Sequence, residues 1–291
     1  MALRTKQSEI PGSDEFAPSG PFAWRVFRYR LDRMLPYHLS QGPGSELKNV
    51  LVLDADGDSH VYAPLMEHQD LFILFAEVQT DDDVLRFAGK FGHLKAASYS
   101  HFIRSSVRSG QSKMAETIEE WLSEATAMSE VIDLWSRIKE NRLEGIIEWK
   151  KRHVLYHPNP DSTVQIAVAD GQNAHAFHGW KHGERKAPAE FELATIINSH
   201  LARNVAPQIG IDQTQSYRLY TRPFNLLGAI WLQMAQACTG EQKVKKCRAP
   251  GCDRWLIYKR SSKTMHDDCA NRLRQQRFME RHSAKTKTRK Q

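Results

Sequence analysis

Three cysteines and one histidine near the C-terminal end have the types and spacing of metal ligands. Cys247 and Cys252 are separated by four residues, thirteen more follow, and His266 then precedes Cys269 with two residues between them. Two close pairs of nitrogen and sulfur donors divided by a loop are how one chain surrounds a tetrahedral divalent ion, and Zn2+ is the ion this set favours. Pro250-Gly251 inside the first pair suits a tight turn between two thiolates. The second pair falls where a helix is expected to begin, because the run from Cys269 to Arg274 contains no breaker. Residues three apart on a helical turn share a face, so His266 and Cys269 converge there. His282 is an alternative fourth donor, but it lies thirteen positions beyond Cys269 and so on a distant turn.

The fourth cysteine, Cys238, belongs to an apolar helical run and reads as a buried thiol. His153, His157, His175, His178 and His182 are the residues on which catalysis would rest. On a strand, however, His175 and His178 point to opposite faces, a poor arrangement for a shared metal. The chain contains no His-Glu-x-x-His pair, nucleophile elbow, phosphate-binding loop or dinucleotide-binding glycine run, so no enzyme is expected. Asp54, Asp56 and Asp58 suggest a calcium loop, but Gly57 and Leu65 stand at the fourth and twelfth loop positions, where an EF-hand needs glycine at the sixth and glutamate at the twelfth.

Charge points to a partner. Sixteen Lys/Arg against five Asp/Glu fall between Glu241 and Gln291, a surplus of eleven positive charges. With a whole-chain charge of +7, the remainder carries −4. Such a local excess attracts polyanions, whose counterions are released when Lys or Arg neutralises phosphate. Arg272 follows the last ligand, and Arg274, Arg277 and Arg281 share one helical face. Asn271, Gln275 and Gln276 could reach base edges. Lys285 and Lys287 extend the charge into a tail expected to be disordered when free and to track phosphates. DNA is the expected partner and RNA the close alternative, since Trp255, Tyr258 and Phe278 could stack on single strands. A third reading is a ligand-sensing or protein-binding body carrying a structural finger; a homo-oligomer is compatible with each.

The elements that must position these groups follow from periodicity and breakers. Residues 1–21 read as a flexible tail, 22–240 as a body, 241–282 as the finger with its basic helix, and 283–291 as a disordered basic tail. Phe22 to Met34 is expected to form a short helix. Val50 to Tyr62 reads as two strands joined by an Asp-Gly turn. Further helices are expected at Leu71–Ala76, from Asp81 to a stop at Gly92, from Met114 to Asn141, from Glu144 to Leu155, from Pro188 to Asn204, and from Pro223 onward with Gly240 as the C′ residue. Strands are expected from Thr163 to Ala169, Ala174 to Trp180, Ser216 to Thr221 and Trp255 to Tyr258. The fold class is therefore α+β: a mostly helical body with small β-hairpins, then a treble-clef-like zinc finger. No secretory signal or transmembrane run is present, so a cytoplasmic location is expected.

Cys269-Ala270-Asn271-Arg272 resembles the Cys-Gly-Asn-Arg signature of the CGNR-type zinc fingers of bacteria. The aromatic stretch Trp255 to Tyr258, the arginine-rich helix, and the apolar helix Asn225 to Met234 are similar to that family as well. Tyr62-Ala-Pro-Leu and Leu85 to Gly92 are loosely similar to the bodies of uncharacterised bacterial proteins that carry such fingers. The chain departs from the pattern in having Ala270 for the signature glycine. It also has His266 where a cysteine usually stands at the position of Thr264 or Met265. The resemblance implies DNA binding in transcription regulation.

Overall fold

The computed structural model describes residues 23–34, 48–54, 59–95, 102–103, 113–151, 153–168, 180–211, 216–240, 243–252, 254–258 and 263–288. Among these, seven helices and thirteen strands alternate irregularly, which makes the chain α+β. It divides into two compact units, one of residues 1–131 with 191–236 and the other of 132–190 with 237–291. No described helix is long and apolar enough to cross a membrane.

The first unit opens with strands β1 (Trp24–Val26) and β2 (Arg28–Met34), not the short helix its aromatic and basic residues suggested. Trp24 and Val26 are buried while Arg25 between them is less so, and that period of two is a strand's. β3 (Lys48–Asp54) and β4 (His60–Tyr62) are strands as expected, but they do not pair with each other. β4 pairs with β1, whereas β3 lies between β2 and β6 (Lys113–Thr117), with β5 (Phe102–Ile103) at the outer edge of that antiparallel sheet. Burial of Val50, Leu51 and Val52 explains the central place of β3. The turn residues 55–58 lie outside the described residues.

Helices α1 (Pro64–Glu67), α2 (Leu71–Ala76) and α3 (Asp81–Phe91) follow. The Thr80 hydroxyl accepts from the Asp83 N–H while the Asp83 carboxylate accepts from the Thr80 N–H, a reciprocal cap that fixes where α3 starts. Phe75, Phe87, Phe91 and Trp121 form an aromatic cluster with neighbouring centroids 4.7–6.2 Å apart. Trp121 comes from α4 (Ile118–Glu140), whose first residues were expected to extend back to Met114 but belong to β6 instead.

α5 (Lys186–Asn204) leads into the ribbon of β10 (Val205–Ile211) and β11 (Tyr217–Pro223). α6 (Leu226–Thr239) starts three residues later than expected, since Pro223 closes β11. The Asn225 side chain caps α6 through the Gly228 N–H, at 2.7 Å, and its amide donates to Asn204. A side chain at Gly228 would run into the Asn204 carbonyl, so only glycine permits this approach.

The second unit contains β7 (Ile147–Lys150), β8 (His153–Tyr156) and β9 (Val164–Val168) in one antiparallel sheet. The helix expected from Glu144 to Leu155 is thus a hairpin, turned at Lys151 with φ +58°. The returning strand expected from Ala174 lies outside the described residues, apart from Trp180, which belongs to no strand. β12 (Lys243–Lys246) pairs with β13 (Trp255–Tyr258), and α7 (Asp267–Thr288) closes the described chain. α7 runs on through 283–288, where a disordered tail was expected, because no glycine or proline interrupts it.

Candidate metal centre

The donor atoms of Cys247, Cys252, His266 and Cys269 all lie within 4.8 Å of one another. Four ligands around a tetrahedral ion with bonds near 2.3 Å stand roughly 3.8 Å apart. The cluster therefore needs little contraction to enclose a metal ion. Cys247 and Cys269 are buried, and Cys252 and His266 are half-buried.

Local structure brings each donor in. Residues 249–252 form a turn closed by the Cys252 N–H donating to Ala249 at 3.1 Å. Pro250 occupies its second position and Gly251, at φ +69°, its third, the pattern of a type II turn. Antiparallel pairing of β12 and β13 returns the chain, so that the Cys247 N–H donates to the Arg254 carbonyl at 3.0 Å. The Arg248 N–H donates to Thr264 at 3.0 Å, tying this knuckle to the segment that carries the second pair. The His266 carbonyl accepts the first helical bond of α7, from Ala270 at 2.9 Å. His266 is thus the residue at the helix entry and Cys269 sits on its first turn.

The imidazole of His266 is oriented by its second nitrogen. Nε2 donates to the Trp255 carbonyl at 2.9 Å, while Nδ1 faces the Cys252 sulfur at 3.8 Å. A proton held on Nε2 leaves the Nδ1 lone pair aimed at the cluster, which is how a ligating histidine is held by its outer partner. The His266 imidazole thus completes a group of one nitrogen and three sulfur donors.

Electrostatics favours thiolate at Cys252 and opposes it at Cys269, whose pKa burial and the neighbouring Cys252 push up. Burial opposes ionisation of Cys252, but hydrogen bonds from the Arg254 N–H and guanidinium, and from the other two cysteines, outweigh it and bring its pKa down to about 6. The Arg254 guanidinium also reaches the Cys269 sulfur at 3.5 Å and the Asp268 carboxylate at 2.5 Å. Three thiolates around a divalent ion leave one negative charge, and Arg254 stands where it offsets that charge. The spacing rules for ligands carry no signal for such a residue.

Outside the cluster, Cys238 sits on α6 with its pKa pushed up to about 12 by burial, and takes no part. His153 bonds to Gln165, His157 lies between Glu148 and Thr163, and the His182 ring packs against Trp149. None of these joins a metal-type group among the described residues; His175 and His178 lie outside them.

The residues expected to meet nucleic acid divide. Asn271, Arg274 and Arg277 are exposed on α7, as are Gln275 and Gln276. Arg272 is exposed too, but its guanidinium donates to the Pro250 carbonyl at 3.4 Å, across the first knuckle. Arg281, Lys285 and Lys287 continue the helix backbone, and their side chains lie outside the described residues. Two of the three stacking candidates are occupied: Trp255 is buried beneath Lys246, and the ammonium of Lys245 lies 3.9 Å from the centre of the Tyr258 ring. Phe278 is 60% exposed. Lys243, Lys245 and Lys246 of β12 belong to the basic surplus counted from Glu241 but were not named among the nucleic-acid contacts.

Comparison of the chain with known protein families, with curated proteins and with solved structures returns no match.

Proposed function

We propose that the C-terminal module is a treble-clef-like finger built on Zn2+ that presents α7 to nucleic acid, with duplex DNA as the target and transcription control as the role. The observation that carries the reading is the convergence of three sulfurs and one imidazole nitrogen at the start of a basic helix. The donor set is that of a structural zinc site with four protein ligands and no open position. Such an ion orders the chain around it and supplies no reaction. Asp267 and Asp268 complement the positive helix start, and Leu273 packs on the cysteine cluster, so the first turns are fixed while Arg274 and Arg277 stay exposed.

Elemental analysis of protein purified without added metal should give one zinc per chain. Fluorescence anisotropy with a duplex should show affinity falling as salt rises, by about 0.9 log units per log unit of salt for each phosphate neutralised. Removing the residues after Ala270 should abolish that binding. Unchanged affinity in the truncated chain sinks the assignment. Exposed Phe278 supports single-stranded RNA as the second reading, and preference for an unstructured RNA with sensitivity to Phe278→Ala would select it.

A further inference from the structure

A second feature of the unit that holds the finger is a groove of about 460 Å³ beside the β7–β8 hairpin. Its volume falls in the ~300–1,000 Å³ range of small-molecule sites. Trp149, Glu148, His157, Arg185, Gly145 and Gly183 line it. Nothing lies within 4 Å of where a side chain would stand on either glycine, so backbone is open to a ligand on both sides.

The wall is ordered by its own hydrogen bonds. The Trp149 indole donates to the Glu184 carbonyl at 2.5 Å, and its ring packs against His182 with centroids 5.1 Å apart. The half-buried indole is therefore held in one orientation. His157 is fixed on both nitrogens, with Glu148 at 3.3 Å and Thr163 at 3.1 Å. The Glu148 carboxylate is thereby engaged. Arg185 is exposed and makes no ion pair among the described residues. A clamped aromatic face and an exposed guanidinium with no ion pair among the described residues suit a flat ring that carries a negative charge, with that charge placed at Arg185 because Glu148 is an acidic group of the same lining.

We propose that this groove binds a planar aromatic anion of mononucleotide size, with the ring against Trp149 and the anionic group on Arg185. This inference stands apart from the zinc and nucleic-acid readings.

The test uses the full-length, metal-loaded protein and adenosine 5′-monophosphate as probe, followed by calorimetry and by quenching of indole fluorescence. Adenosine supplies the ring alone and inorganic phosphate the anion alone. Saturable binding of the monophosphate is expected, tighter than either part. Arg185→Ala should weaken it by about tenfold or more, the scale of a charge-assisted pair. Trp149→Phe should keep most of the affinity and remove the quench. Arg274→Ala with Arg277→Ala should change nothing, which separates the groove from α7. Far-UV circular dichroism and a melting curve establish that each variant is folded. Absence of saturable binding by the folded wild type overturns the proposal, as does equal affinity in folded Arg185→Ala, or loss only in the α7 variant.

Discussion

The aromatic-cored first unit and the finger solve the same problem by opposite means. The largest fully buried side chains include Trp121, Trp231, Phe72, Phe75 and Met128, and none of that set lies beyond Trp231. Around its donor group the finger buries Cys247, Ala249 and Cys269, with Cys252, Met265 and Leu273 packed at the margin, and its hairpin adds Val244, Trp255 and Leu256. Apolar burial of the first kind contributes about 1.5–3 kcal/mol per large side chain. The second cluster is small, so a metal ion bound by the four donors would supply what burial does not. The difference teaches that each region answers to a different perturbant.

Removing the metal should separate them most sharply. Structural zinc contributes apparent folding energy of ~10–16 kcal/mol near neutral pH. A chelator, or Cys252→Ser, should unfold the finger and reduce duplex affinity by about 100-fold or more at moderate salt. The melting temperature of the first unit should stay within a few degrees, as read by Trp fluorescence. A parallel fall of both transitions breaks the comparison.

Acidity should act in the other region. Glu116 is buried and accepts from the Leu94 and Lys95 N–H groups and from the Trp121 indole. Burial pushes its pKa up to about 7 against the opposing pull of those bonds. Between about 4.5 and 7 the folded state holds a proton that the unfolded chain releases. Stability of the first unit should therefore decline as pH rises through that window, by up to about 3 kcal/mol. Urea unfolding over a pH series checks the sign, and Glu116→Gln should flatten the slope while lowering stability overall.

Gly228→Ala should destabilise the same unit by about 1–3 kcal/mol, because the methyl group meets backbone and not a yielding side chain. Metal content should be unaltered. Thr80→Ala, which removes half of a reciprocal cap, should cost about 1 kcal/mol and leave the finger untouched in calorimetry.

What the sequence disclosed divides along the same line. The four donors were legible because a metal demands particular residue types at close spacing. The start of α3 at its acidic turn and the apolar run of α6 were legible from local rules. The hairpin of β7 and β8 was not: Ile147 and Trp149 alternate over too few residues to compete with a helical reading. Nor was the partnership of β3 with β2 and β6, which depends on a crossing of distant segments. Glu116 and Arg254 were invisible for a related reason. Their roles arise from groups 21–22 residues away in one case and 14–15 in the other.

α7 has 22 residues, about 33 Å of helix, and is anchored at its opening turns, where Cys269 and Leu273 pack. From Arg274 to Met279 every side chain is exposed. Cations spaced three and four apart repel along such a stretch, which weakens the coil-to-helix balance of its outer half. Ionic strength alone should then alter how far the helix winds from its anchored end. Any polyanion laid along it would lengthen the ordered portion, so that ellipticity at 222 nm becomes a direct meter of occupancy.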